Sequence, residues 1–166
     1  HGVAAVADGE TRWRVPFENH ARIAGITPTR AVVARGDAIY AFDTSTGDER
    51  WRLADIDTAT VTVHGDRVYV GGGEVRALET ATGNELWTET VDAGTAVGTP
   101  TVVDEGAAGS AHAAYVTTEE TRLHRLDADG TVTWTTSFDS ELRNLVVDDR
   151  VFVATASAIH ALEPRR

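Results

Sequence analysis

The sequence predicts an all-β chain made of about four four-stranded antiparallel sheets, arranged as the blades of a propeller. Three observations carry that expectation. Four tryptophans, Trp13, Trp51, Trp87 and Trp134, stand 38, 36 and 47 residues apart, and each follows a glycine by four positions: Gly9, Gly47, Gly83 and Gly130. The segments between them are short, β-branched or aromatic, and punctuated by turn residues, with no sustained helical periodicity. Several, such as 31–34, 68–70 and 151–153, are apolar at every position. A sheet with one wet face would alternate; a sheet packed on both faces reads this way. Sheets of this size repeated at this spacing and packed face to face are propeller blades.

The repeats fall at about 1–15, 16–53, 54–91, 92–138 and 139–166, within a single domain. The first offers a strand at 3–7 and a second through Trp13. The next offers strands at 22–26, 31–34, 38–43 and 49–53. The third is the clearest: 60–63, a Gly65-Asp66 turn, 67–70, the Gly71-Gly72-Gly73 turn, 75–79 and 85–90. Tight turns between successive strands make each repeat an antiparallel meander. The fourth has 99–103, 113–117, 122–127 and 131–137, with a small-residue loop at 104–111 that accounts for most of its extra length. The last has 142–147, 150–155 and 158–163. Thus 3–7 sits in a third-strand place, and so does 158–163 at the other end. Three closures are open: a four-bladed ring in one chain, two chains in an eight-bladed ring, or part of a longer propeller. A half or fragment of a seven- or eight-bladed ring is the expectation, and the absence of an initial methionine before His1 suggests that upstream residues have been removed.

The turn before each tryptophan has its own logic. Glycine permits the positive φ that a tight turn requires. The short side chains of Asp43, Thr44 and Thr46 can hydrogen-bond the turn backbone. Ala41, Ala77 and Ala161 leave room beside a strand, and tryptophan supplies a large face with one N–H donor. The pattern Ala-x-Asp-x-x-Thr-Gly-x-x-x-Trp resembles the quinoprotein-type (pyrroloquinoline-quinone-like) β-propeller repeat. Residues 41–51 match throughout, and 77–87 differ only in Glu79 for aspartate. The copy from Arg125 to Trp134 is one residue shorter and lacks the alanine and threonine, the copy at Gly9 keeps little more than its glycine and Trp13, and Ala161-Leu162-Glu163 begins a fifth. The resemblance implies seven or eight blades in the whole ring, with each tryptophan stacked against the next repeat's turn.

Composition narrows the function classes. Acidic residues outnumber basic ones 26 to 15, for a net charge of -11, and every basic residue is arginine. Such a surface repels phosphates and argues against nucleic acid as a partner. With lysine absent and Ala, Thr and Val abundant, the chain is similar to proteins of haloarchaea, where salt screens the self-repulsion. There is no cysteine, which removes disulfides, thiolate metal sites and thiol catalysis. No run approaches the roughly 18 apolar residues of a spanning helix.

Residues able to carry chemistry are scattered. The six histidines, at 1, 20, 64, 112, 124 and 160, form no His-x-x-x-His pair. His64 and His160 read as turn or blade residues. Asp127-Ala128-Asp129-Gly130 looks like the start of a calcium loop but lacks the later ligands, and it occupies the repeat's hairpin. Asp148-Asp149 and Glu119-Glu120 read as solvated turn pairs. No nucleophile elbow, P-loop or dinucleotide fingerprint is present. No residue is therefore assigned a catalytic, cofactor-binding or metal role, and no cofactor is expected.

The family resemblance implies two functional branches. One comprises quinone- and calcium-dependent dehydrogenases, whose vicinal disulfide this chain cannot form and whose calcium and catalytic positions find no match here. The other comprises scaffolds similar to the outer-membrane-assembly lipoprotein. The expectation is a non-catalytic propeller scaffold or binding module outside the cytoplasm, with a protein partner and a homodimer as one route to an eight-bladed ring. The dehydrogenase, and a sensor module of a larger signalling protein, remain alternatives. The 104–111 loop is the conspicuous departure from repeat length, where binding would first be sought.

Overall fold

The computed structural model describes residues 2–56, 60–92, 97–105, 111–148 and 150–163. Five antiparallel sheets follow one another along the chain. The first pairs β1 (Gly2–Ala7) with β2 (Glu10–Pro16). The second is β3 (Arg22–Ile26), β4 (Arg30–Arg35), β5 (Ala38–Asp43) and β6 (Glu49–Leu53). The third is β7 (Thr60–His64), β8 (Arg67–Gly71), β9 (Val75–Glu79) and β10 (Glu85–Glu89). The fourth is β11 (Thr101–Glu105), β12 (Ala111–Thr118), β13 (Arg122–Leu126) and β14 (Val132–Ser137). The last has three strands, β15 (Leu142–Val147), β16 (Val151–Thr155) and β17 (Ile159–Leu162). Every sheet is a plain meander, and no helix occurs among the described residues. Among the described residues the propeller is open: β1–β2 and β15–β17 are separate sheets that do not pair with one another.

One expectation needs correction. Residues 104–111 do not form a loop throughout. Asp104 and Glu105 continue β11 and pair with His112 and Ala111. Extending the ladder satisfies backbone groups that a loop would leave to water. Of the expected loop only 106–110 is left, and it lies outside the described residues.

The core is a stack of four apolar layers between five sheets, and period-2 alternation sorts residues into them. Val3 meets Val33 and Phe42 between the first two sheets. Val32, Ile39 and Ala41 meet Val61, Val68, Val70 and Leu78 between the second and third. Tyr69, Val75 and Ala77 meet Ala114, Val116 and Leu126 in the next layer. Ala113, Tyr115 and Leu123 meet Val151 and Val153 in the last. Neighbouring residues on a central strand therefore serve different layers: Val68 and Val70 face back, Tyr69 faces forward. That is why these strands are apolar on both sides. Full burial of each such side chain contributes about 1.5–3 kcal/mol.

Tryptophan closes each layer at its outer edge. Trp51 and Trp87 pair directly with Ala41 and Ala77 on the third strand, Trp13 pairs with Ala5, and Trp134 pairs with Arg125. A register shift follows in every case, so the turn beyond is set off from the ladder. Trp13 Nε1 donates to the Thr44 carbonyl at 2.9 Å, Trp51 Nε1 to Thr80 at 2.9 Å, and Trp87 Nε1 to Ala128 at 3.0 Å. Each acceptor belongs to the following sheet. The turn glycine of that sheet lies under the ring: a Cβ on Gly83, at φ 76°, would sit 2.7 Å from Trp51 Cδ2, and Gly47 and Gly130 meet Trp13 and Trp87 in the same way. The turn itself is tied by Asp43, whose Oδ1 accepts from the Ser45 and Thr46 amides while Arg50 holds Oδ2 at 2.8 Å. The Ser45 hydroxyl, then Arg50, hold this carboxyl well below its ordinary range.

A polar knot fastens the fourth sheet. His124 is buried on β13, with Nε2 at 3.0 Å from Asp92 Oδ2 and 2.8 Å from Thr118 Oγ1, and Nδ1 at 2.8 Å from Thr135 Oγ1. A neutral ring with its proton on Nε2 fits, since Asp92 accepts and the Thr135 hydroxyl donates to Nδ1. Burial, opposed by Asp92, holds the imidazole below its ordinary 6.5. The Thr118 hydroxyl, which donates to Asp92 at 2.6 Å, leads the causes that hold that carboxyl low.

Two outcomes follow from these contacts. Gly83→Ala combines a positive φ with a clash on Trp51 and loses roughly 1–3 kcal/mol. Gly9→Ala, whose φ is 80° but whose Cβ would meet nothing within 4 Å, loses less; urea denaturation of the two variants checks the difference. The second concerns acid. The unfolded chain protonates His124 near 6.5 while the folded chain resists, so the unfolded state binds more protons and stability falls as pH drops through that value. Melting from pH 7.5 to 5 should show a declining Tm in the native chain and a flatter profile in His124→Gln.

Candidate functional site

Most residues singled out from the sequence are absorbed by turns and packing. Asp127 and Asp129 turn inward on their own hairpin: Asp127 Oδ1 accepts from the Asp129 and Thr131 amides, and Asp129 Oδ1 from the Thr131 hydroxyl at 2.7 Å. Glu119 and Glu120 form the β12–β13 turn, both at positive φ. Asp148 lies in the β15–β16 turn, and Asp149 lies outside the described residues. His160 stands on β17 with its ring 5.0 Å from Phe138. Gly71, Gly72 and Gly73 line a shallow cleft with Asp55, Ile56 and Arg76, about 270 Å³ in volume. That is at the lower edge of what a small-molecule site needs.

Of the turn or blade places expected for His64, the structure gives it the blade. It is the last residue of β7, and the alternation that sends Val61 and Val63 toward the second sheet sends His64 toward the fourth. On β11, Val102 faces the third sheet, and so does Asp104 two residues on. On β12, Ala114 and Val116 face the third sheet, and so does His112 two residues before. Three polar residues from two sheets thus meet at the rim of one apolar layer. His64 Nε2 lies 2.7 Å from Asp104 Oδ1, and His112 Nδ1 lies 3.1 Å from the same oxygen. The imidazoles stand edge to face at 5.0 Å. Asp66, in the β7–β8 turn, places Oδ1 4.0 Å from His112 Nε2. His112 is the most enclosed of the three and Asp104 the most open. The hydrogen bond from His64 foremost, with His112 adding to it, holds the Asp104 carboxyl below its ordinary range.

The sequence reading missed His112 and Asp104 as a site because they lie 48 and 40 residues from His64. The usable signal was parity: each residue is two positions from one that belongs to the same apolar layer.

The other feature left over by packing is the forward face of the last sheet. Val146 and Phe152 are register partners and are 54% and 42% exposed, and Ile159 is 80% exposed. Tyr69 and Tyr115, which hold the place of Phe152 on earlier second strands, are 1% exposed because a further sheet covers them. Trp134 Nε1 is buried and finds no partner among the described residues. In the other three joints the acceptor, Thr44, Thr80 or Ala128, stands three positions after Ala41, Ala77 or Arg125 on the third strand; counted in the same way from Ala161, the place falls at position 164, outside the described residues.

Comparison with known proteins agrees with this architecture. The family model described as outer membrane protein assembly factor BamB matches residues 1–88, 53–107 and 71–163. Among solved structures, the chain is similar to BamB from Moraxella catarrhalis, with a TM-score of 0.62 and 22% identity over 93% of this chain and 50% of that one. It is similar to BBS1N, solved in complex with ARL6DN, with a TM-score of 0.67 and 15% identity over 95% of this chain and 53% of that one. It is also similar to the computationally designed Ika4 protein, with a TM-score of 0.66 and 16% identity over 89% of this chain and 95% of that one. At these identities the structures speak for the fold alone. The chain spans about half the length of the first two. No curated protein sequence matches it. The family matches run along nearly the whole chain, and on that ground the chain belongs to the family described as outer membrane protein assembly factor BamB, built on the pyrroloquinoline-quinone-like propeller repeat.

Proposed function

We propose that the chain is a non-catalytic propeller scaffold that acts outside the cytoplasm by binding protein, with a second copy of itself as the first partner. The observation that carries this is the uncovered forward face of β15–β17, with Val146, Phe152 and Ile159 exposed where earlier sheets are covered by the next one. Its shape is matched by another sheet of the same repeat. A second copy supplies one, and its Gly9 is the turn glycine on which no ring rests. Two copies joined in this way continue the run of stacked sheets from one chain into the next, whereas a ring of eight blades would have β1–β2 of one copy share a blade with β15–β17 of the other. The repeat's most regular residues are spent on holding sheets together, so the tryptophans serve docking rather than ligand stacking. Further protein partners would meet the turns at the rims. Membership of a family described as an outer membrane assembly factor supports placement outside the cytoplasm, and the single-domain division into repeats belongs to the same reading.

Sedimentation equilibrium at high salt tests it. A dimer is expected, with Phe152→Asp shifting it to monomer while the far-ultraviolet circular dichroism is kept. A monomer at every concentration overturns self-association. Adding pyrroloquinoline quinone and calcium should give neither a red-shifted bound spectrum nor dye reduction with alcohols or sugars; either would sink the non-catalytic reading. With a net charge of -11, the chain should also melt at higher temperature as potassium chloride is raised, since screening relieves self-repulsion.

A further inference from the structure

We infer that His64, Asp104 and His112 form a binding site for one divalent transition-metal ion, of the zinc class, that ties the third sheet to the fourth at the rim. The three residues each offer one ligand atom, and all of these atoms lie within 4.8 Å of one another. Two imidazole nitrogens and a carboxylate oxygen suit zinc, nickel or copper rather than calcium or magnesium, which take oxygen ligands. Ligand bonds of about 2.0–2.2 Å need donors roughly 3–3.5 Å apart. The pairs at 2.7 Å and 3.1 Å are close to that, so small rotations suffice. The Asp66 carboxylate stands 4.0 Å from His112 Nε2, the ring nitrogen that faces away from Asp104, where it can orient the imidazole whose Nδ1 would bind the ion.

Three features separate this cluster from an ordinary surface ion pair. First, both rings address the same carboxylate oxygen, Asp104 Oδ1, so the three groups converge on one point. Second, the two imidazoles stand edge to face with centroids 5.0 Å apart, near enough for one ion to bind a nitrogen of each. Third, two of the three ligands lie where the repeat is irregular. Asp104 and His112 sit at the base of the hairpin where this repeat departs in length from the others, with the lengthened ladder holding them opposite each other. Beside this rim a Thr62 hydroxyl donates to the Pro100 carbonyl at 2.7 Å, also joining the third sheet to the stretch that leads into the fourth. A metal ion would add a second tie across the same gap.

The test uses the whole chain, stripped with a chelator and titrated calorimetrically with zinc chloride, with magnesium chloride as control. One equivalent of zinc is expected, with a rise in Tm on loading and no response to magnesium. His64→Gln and His112→Gln should each weaken zinc binding by about tenfold or more. Cobalt(II) substitution should give visible absorption bands that are lost in both variants. Circular dichroism establishes that each variant is folded, and Asp104→Asn provides an independent ligand variant that changes no volume. The absence of a zinc isotherm in the native chain overturns the site. So does an isotherm unchanged in all three variants, which would assign the ion to other groups. These readouts do not depend on self-association, so the scaffold reading and the metal site can fail separately.

Discussion

The indole ring of one sheet, resting on the turn glycine of the next and donating its N–H to a carbonyl in that turn, is the contact on which the rest of this molecule depends. Among the described residues it is satisfied in three places, at Trp13, Trp51 and Trp87. Each joint needs three things at once: a glycine with no Cβ to strike the ring, a positive φ that glycine tolerates, and a turn whose carbonyl points back. The side chain of Asp43 and its counterparts at Glu79 and Asp127 hold that turn in shape. Glu79, for instance, accepts from the Thr82 hydroxyl within its own turn. The joint therefore ties a local feature, the hairpin, to a long-range one, the spacing between sheets.

The layered core follows from that spacing. Once neighbouring sheets are held face to face, each central strand must bury both sides, and adjacent residues such as Tyr69 and Val70 enter different apolar layers. Burial supplies most of the stability, while the indole joint fixes where each sheet sits. At the rim, where the layers meet water, the same alternation admits polar residues. The His64, Asp104 and His112 cluster occupies one such margin, and the His124 knot, more deeply buried, sits on β13, an inner strand of the fourth sheet. The first is partly solvated with convergent donors and the second is enclosed with every ring nitrogen paired, so the two histidine clusters differ in kind.

The sheet-by-sheet organisation was legible because it is periodic. Tryptophan after glycine at a fixed offset located every third-to-fourth-strand turn, and the strands of the second sheet lie almost where β-branched runs placed them. Pairing of Trp51 with Ala41 and of Trp87 with Ala77 gives the small residues of the motif their physical meaning. The fourth sheet was less legible. Small residues at 106–111 hide the end of a ladder, so Asp104 and Glu105 read as loop until their partners across the hairpin are known.

Sequence alone specifies the repeat, its strand order and the turn glycine and tryptophan of each copy, because these depend on neighbours within some ten positions and on period-2 alternation. It also determined the acidic, arginine-only surface. Only the tertiary structure decided which distant side chains meet. His64 and His112 lie on different sheets, and nothing local joins them; the distance between sheets brings their rings to 5.0 Å. Likewise, that Phe152 is exposed while Tyr69 is buried is invisible in their similar strands. It depends on whether another sheet lies in front, which is a property of the assembled stack and not of any segment.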